Sequence, residues 1–369
     1  MIGIKIPLDW PNLGELEKEY VVKAIESGYV STSGPLVKKF EEEFANCVGA
    51  KYAVATANGT MALHLALMLL SIGPGDEVIV PALTFIASVN PVIYVGATPV
   101  VVDVDPVTWN IDPEAIKKAV TPRTKAIIPV HLYGNPANMI EIIKIARKYN
   151  LHVIEDASEA LGSKLNGKYM GTFGDIGVFS FNGNKIITTG GGGMLVTDDE
   201  LIARKARLIV NQGRESGIIE YEHIEIGYNY RLTNLQAALG LAQLKRLPEF
   251  LSAKVKNAEI YKQELNDIPG ITWQQEIPEA SSNWWLFSVI LDEKYKSRIE
   301  IINDLKCDGI QTRPLFKPIY MQPCYKGFSF PLCPIAFKLY SRGINLPSAT
   351  FLTEKDIKYT CHCLKRVIL

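Results

Sequence analysis

The sequence predicts an α/β fold: a large unit on a mostly parallel, seven-stranded sheet over residues 1–245, then a smaller α+β unit over 246–369. Three observations carry that expectation. Short β-rich runs alternate with longer helical patterns, the signature of a parallel sheet wrapped by helices. Most of the short runs are apolar along their whole length, as strands buried on both faces are. Beyond a long helical segment the pattern changes to scattered short strands and helices around a Pro- and aromatic-rich loop, "RPLFKPIYMQPCY".

In chain order, helical periodicity over 14–27 and 35–48 precedes any strand, so these two helices belong on the outside of the sheet. Strands are expected at 52–56, 77–80, 98–103, 126–131, 153–155, 176–181 and 193–197. Helices are expected at 60–70, 88–94, 112–119, 139–149 and 200–210. A long helix follows over 234–265, with a break or kink at Pro248, which has no N–H to donate. "NWWLFSVIL" reads as a strand, "SRIEIINDLKCDGI" as a helix closed by Asp308-Gly309, and a last helix follows Thr353.

Lys plus Arg and Asp plus Glu number 39 each, so the formal net charge is zero. No basic excess points to nucleic acid or to an anionic membrane surface, and a small-molecule partner is expected instead. Six cysteines are scattered, and Cys361-His362-Cys363 lacks a second ligand pair at zinc-site spacing, so no metal is expected. The first twenty residues lack a basic region followed by an apolar segment, and no apolar run reaches about 18 residues. A reduced, cytoplasmic setting is the expectation.

Four features fall at expected strand ends, where open α/β sheets place ligands. In "TANGTMALHLAL", Gly59 and Thr60 open a helix. They serve either as a glycine turn with Thr60 as N-cap or as a phosphate cradle of unpaired N–H groups. In "VIEDASEALG", Glu155 and Asp156 end an apolar strand; the acid caps the next helix or holds a heteroaromatic nitrogen protonated. Phe85 in "PALTFIAS" is a core aromatic or a stacking platform. Lys185, in "FSFNGNKIITTGGGG", is a surface lysine or a partly desolvated amine that attacks a carbonyl to form a Schiff base. A phosphate cradle, an aromatic stacker, an acid for a pyridinium and a Schiff-base lysine together match what pyridoxal 5'-phosphate (PLP) requires.

The order of these motifs resembles the DegT/DnrJ/EryC1/StrS family across nearly the full length. Its members are fold-type I, aspartate aminotransferase-like enzymes that use PLP to aminate nucleotide-linked keto sugars. The resemblance is carried by "SGYVSTSGPLVKKFEEEFA", "NGTMALHLAL", "GDEVIVPALTFIASVNPVIYVGATPVVVDVD", "KAIIPVHLYG", "VIEDASEALGS", "GDIGVFSFNGNKIITTGGGG" and "IGYNYRLTNLQAALGLAQL". It implies that Lys185 binds the aldehyde, Asp156 pairs with the ring nitrogen, Glu159 lies near the ring hydroxyl and Phe85 covers the ring. Gly59, Thr60 and Ser180 would bind the phosphate. Asn229 would reach the phosphate of a neighbouring subunit, making the active unit a homodimer with shared sites.

The activity implied is amino transfer from L-glutamate to a nucleotide-linked keto sugar, for amino-sugar biosynthesis, with the cofactor cycling through pyridoxamine 5'-phosphate (PMP). "TFIASVN", "GYNYRLTN" and "RGINLP" resemble the branch that aminates C4 of 4-keto-6-deoxyhexoses. "RPLFKPIYMQP" is closer to enzymes using UDP-linked 2-acetamido-4-keto-6-deoxy sugars, so the nucleotide stays open. Ser31, Arg231, Arg313, Lys317 and Tyr320 are substrate-contact candidates. Arg313 and Lys317 would meet the diphosphate, with exposed ion pairing as the alternative.

Two residues depart from the family pattern: Gly191 stands where relatives carry glutamate, and Tyr320 where they carry histidine. The alternatives are a C3-specific aminotransferase, a sugar 3-dehydratase, whose branch replaces the lysine with histidine, and a non-catalytic PLP-binding regulator. The last usually carries an added DNA-binding domain.

Overall fold

The computed structural model describes residues 3–215 and 220–368. Two helices, α1 (Glu15–Glu26) and α2 (Pro35–Val48), precede the first strand. Pro35 starts α2 at a position where its missing N–H costs nothing, and Gly49 ends it in the left-handed region at φ 75°. The sheet segment then runs β1 (Tyr52–Thr56), α3 (Gly59–Leu69), β2 (Glu77–Pro81), α4 (Asn90–Tyr94), β3 (Thr98–Val102), α5 (Pro113–Ala119), β4 (Thr124–Ile127), α6 (Met139–Tyr149) and β5 (His152–Asp156). A small hairpin, β6 (Lys164–Leu165) and β7 (Lys168–Tyr169), leads to β8 (Ile176–Ser180), β9 (Gly193–Thr197) and α7 (Glu200–Val210).

The seven strands pair in the order β1-β9-β8-β5-β4-β2-β3. Only β9 is reversed, antiparallel to both β1 and β8. The carboxyl ends of β1, β2, β5 and β8 therefore lie along one edge, and the four sequence features sit just beyond them. Gly193 permits the close fit there: a Cβ on it would lie 2.5 Å from the Asn58 carbonyl carbon.

Two expectations change in detail. The strand expected over 126–131 ends at Ile127, because Pro129 offers the ladder only a carbonyl, which accepts from Asp156 N at 2.9 Å. The helix expected over 88–94 divides into a 3₁₀ turn, Ile86–Ser88, and α4, with Pro91 in the first turn of α4.

The 32-residue α8 (Asn234–Leu265) starts with a reciprocal cap between Thr233 and Gln236 and is one helix through Pro248. The boundary expected near residue 245 falls inside it. Beyond α8 lie β10 (Ile271–Trp273), β11 (Ala280–Ser281), β12 (Phe287–Leu291), α9 (Arg298–Cys307), β13 (Arg313–Pro314), α10 (Pro334–Arg342), β14 (Gly343–Leu346) and α11 (Glu354–Ile368). Strands β10-β12-β14-β13 form a second, antiparallel sheet. Its core, including Phe287, Val289, Ile301, Leu305, Ile344 and Leu364, is distinct from the core around the large sheet and draws Tyr261 and Leu265 from α8.

The N-terminal segment stitches these parts together. Ile6 bridges Ile310, Leu8 O accepts from Ser348 N at 2.6 Å, and Asn12 O accepts from Gln243 at 3.0 Å. No helix among the described residues is long and apolar enough to cross a membrane.

Candidate active site

At the end of β1 the N-cap of α3 is Asn58, whose side chain accepts from Met61 N at 2.9 Å. Thr60 is thereby relieved of the capping role and lines the cavity. The N–H groups of Gly59 and Thr60 belong to the first turn and have no acceptor within the helix. Gly59 packs tightly: an added Cβ would lie 3.1 Å from Ser180 Cβ at the end of β8. The result is a backbone donor site beside a hydroxyl, suited to an anion.

The two acids ending β5 point to opposite faces and do different work. Glu155 is fully buried and saturated: its oxygens accept from Gly171 N (2.8 Å), Phe173 N and Gly174 N (2.7 Å), and from His131 Nε2 (3.1 Å). His131 Nδ1 accepts from Ala137 N at 3.1 Å, so the ring proton sits on Nε2, facing Glu155. Asp156 faces the cavity, held by Ser88 Oγ at 2.6 Å on Oδ2 and Ser158 N at 3.1 Å on Oδ1. Ser88 is itself oriented by Thr84, 2.9 Å away. This bracing leaves a carboxylate aimed where a ring nitrogen can be met.

Phe85 is 52% exposed, which removes the core reading; its ring tilts against Phe316 with centroids 5.5 Å apart. Lys185 is no surface residue. Its Nζ lies 3.6 Å from Glu159 Oε1 and 3.8 Å from the centroid of Trp285, and its side chain is 13% exposed. Burial pulls the ammonium below the usual lysine range, and the charges of Glu159 and Asp156 oppose that pull. Glu159 is pushed up by burial, against the Lys185 charge and a 2.7 Å bond from Tyr133 N.

These groups meet in one cavity of about 410 Å³. Of the expected residues, Gly59, Thr60, Phe85, Asp156 and Glu159 line it, as do Ser180, Lys185 and Arg313. Arg313 carries two buried donors, Nε and Nη2, without a hydrogen-bond partner among the described residues, the condition of a cation awaiting an anion. A larger hollow of about 660 Å³, beside Arg204, Arg214 and Glu225, contains none of these groups.

Ser31, Asn229, Arg231, Lys317 and Tyr320 lie outside the cavity lining. Ser31 is exposed, and its carbonyl accepts from Asn234 N at 2.6 Å. Asn229 is exposed and bridges Asn211. Arg231 bridges Thr56, and its Nε is buried without a partner among the described residues. Tyr320 donates to Cys333 O at 3.3 Å, and Lys317 O accepts from Gln322 at 3.0 Å. Sequence reasoning passed over Trp285, Ser88 and Phe316; the tandem tryptophan of "NWWLFSVIL" was the only available signal for the first.

PLP fits this donor set: a buried amine, a braced buried carboxylate, an exposed aromatic face, and a helix start that a Cβ on residue 59 would crowd. Comparison with known proteins agrees. The DegT/DnrJ/EryC1/StrS aminotransferase family profile matches residues 11–365. GDP-perosamine synthase of Escherichia coli O157:H7 is 45% identical, with 97% of each chain covered, and that of Caulobacter vibrioides 44%, with 99% of each. The Streptococcus pneumoniae protein Spr1654, solved in PLP and PMP forms, superposes with TM-scores of 0.92 and 0.93 at 29% identity, covering 98% of this chain and 98–99% of the other.

Proposed function

The chain belongs to the DegT/DnrJ/EryC1/StrS aminotransferase family, and from that premise we propose that it moves an amino group from L-glutamate to the C4 ketone of a nucleotide-linked 4-keto-6-deoxyhexose. It is a PLP-dependent sugar aminotransferase, its cofactor alternating between PLP and PMP. The observation that carries the reading is the convergence of Lys185, Asp156, Gly59, Thr60, Ser180 and Phe85 on one cavity. The relatives named for GDP-perosamine synthesis support the C4 position and the hexose class.

PLP, when bound, supplies an aldehyde that condenses with amines and a ring that takes up the electrons of a broken Cα–H bond. The protein supplies the rest. Gly59 and Thr60 N–H groups with Ser180 would hold the phosphate, Phe85 would offer an aromatic face to the ring, and Asp156 would favour a protonated ring nitrogen. Burial pulls the Lys185 ammonium toward its neutral form, so Nζ would be the amine that holds the aldehyde and the group placed to move a proton. Glu159, 3.6 Å from Nζ, holds the protonated lysine in reach. The unpaired donors of Arg313 receive an anionic group of a substrate. Asn229 stands exposed outside the cavity, which supports a homodimer in which it serves the partner's site.

The test is incubation with glutamate and a panel of GDP-, UDP- and dTDP-linked 4-keto and 3-keto sugars, with products identified by mass and NMR. A 4-amino sugar is expected. A 3-amino sugar, or no amino sugar from any member, rejects the proposal.

A further inference from the structure

Behind Lys185 lies a buried chain of contacts that the chemistry above does not use. Trp285 is 1% exposed and stacks on Tyr133, with centroids 6.3 Å apart. Its indole N–H donates to the carbonyl of Asn184, the residue before Lys185, at 2.7 Å, while its ring face sits 3.8 Å from Lys185 Nζ. One residue thus grips the lysine at both ends, backbone and ammonium.

Trp285 is itself gripped. Asn283 Oδ1 accepts from its backbone N–H at 2.8 Å, and Lys254 Nζ donates to its backbone carbonyl at 2.8 Å. Lys254, 1% exposed on α8, also pairs with Asp9 Oδ1 at 2.9 Å. A fully buried ammonium is among the costliest groups to place in an interior, and removing one partner of such a pair strands the other. Here the pair joins the N-terminal segment, α8 and the segment before β12 that carries the indole.

We propose that Trp285 is a positioning residue for Lys185, and that the buried Asp9–Lys254 pair acts through it by fixing the segment that carries the indole. The inference rests on the reading of Lys185 as the amine that captures the cofactor. The charged groups facing that amine are Glu159 and Asp156 from the β5 side and Arg313 from β13. Asp9 reaches it from the N-terminal segment, with Lys254 neutralising Asp9 from α8. Against this mixed field the indole face favours the cationic form and sets where the ammonium rests.

The experiment strips the cofactor from the full-length protein, adds PLP and follows the rate of capture by absorbance across pH. Neutral Nζ adds to the aldehyde carbon, a C=N bond forms, and the carbonyl oxygen leaves as water with two amine hydrogens, so the rate tracks the neutral fraction of Lys185. In Trp285→Leu the ammonium loses its ring, and the midpoint moves down by about one pH unit. Trp285→Phe, which keeps a ring face, recovers more than half of that shift. The double variant Asp9→Asn/Lys254→Met removes opposite charges together and moves the midpoint part of the way in the same direction.

A midpoint unmoved in Trp285→Leu and in the double variant overturns the proposal, whatever happens to stability. If Trp285→Leu does not fold, the double variant decides by the same criterion. Borohydride reduction and peptide mapping of the unaltered protein separates the two levels. An adduct on another lysine removes the reading of Lys185 and this inference with it. An adduct on Lys185 with an unmoved midpoint overturns this inference alone.

Discussion

Neighbouring acids on β5 invite a paired test, because Glu155→Gln and Asp156→Asn are equally conservative on paper. Glu155 accepts four hydrogen bonds, two on each oxygen: Phe173 N and Gly174 N on Oε1, Gly171 N and His131 Nε2 on Oε2. Glutamine keeps one oxygen and turns an NH2 toward the other two donors. His131 cannot adapt by moving its proton to Nδ1, because Nδ1 already accepts from Ala137 N. Two charge-assisted bonds are lost among buried groups, at about 1.5–3 kcal/mol each, or roughly 3–6 kcal/mol in all. That is a large share of a total stability of about 5–15 kcal/mol.

Asp156→Asn keeps an oxygen for Ser88 or Ser158 and costs about 1–2 kcal/mol. It leaves no anion for the ring nitrogen, and turnover falls by about 10²–10⁴. Urea unfolding and single-turnover kinetics per folded, cofactor-loaded site separate the two effects. The reasoning is refuted if Glu155→Gln is as stable as the parent, or if Asp156→Asn retains turnover.

Gly191→Ala should be tolerated and should raise stability by about 0.4–1 kcal/mol, since its Cβ would find nothing closer than Ala57 O at 3.9 Å. Gly193→Ala, forced to 2.5 Å from the Asn58 carbonyl carbon, should lose both stability and cofactor; matched thermal midpoints for the two variants would contradict this. His152 is raised by its hydrogen bond to Asp175, opposed by burial, so its contribution is full below its unfolded value of 6.5 and fades as pH rises through the folded value. Both side chains are about half exposed, so His152→Gln should cost under about 1 kcal/mol at pH 5.5 and nothing at pH 9, with equal urea midpoint changes at both as the adverse result. Asn229→Ala should weaken cofactor retention, and co-expression with a Lys185→Ala chain should restore activity through the one intact site of each hybrid dimer; no restoration would argue against a site shared between chains.

Much of the fold was legible because both-face burial writes strands as continuous apolar runs, and six of the seven ran parallel as that pattern implies. Reversal of β9 left no trace, since an antiparallel strand with both faces covered has the same composition as its neighbours. Within the site, Gly59 and Lys185 pointed to a ligand only as members of a set with the acid and the aromatic, because each alone reads as an ordinary helix turn or a surface lysine. Glu155 and Asp156 were separable only through the family resemblance: on residue chemistry alone, adjacent acids on opposite faces become distinct only when His131 and the loop at 171–174 arrive to claim one of them. Trp285 was hidden for a similar reason. Its neighbour Trp284 packs on Phe287 in the second core while Trp285 turns to the lysine, and a tandem pair does not announce that division.

Helix α8 also governs which insertions and deletions this chain can accept. Along its length Gln236 donates to Gly191 O, Gln243 to Asn12 O and Glu17, Lys254 to Asp9 and Trp285 O, Asn257 to Ala349 O, and Tyr261 to Pro347 O. Deleting one residue would turn everything downstream by about 100° and shift it about 1.5 Å. Between Gln236 and Tyr261 a single deletion therefore sets every later anchor facing the wrong strand, loop or acid at once. A gain or loss of length in this stretch should appear only as whole turns, whereas the exposed residues 220–226 before it can vary one by one.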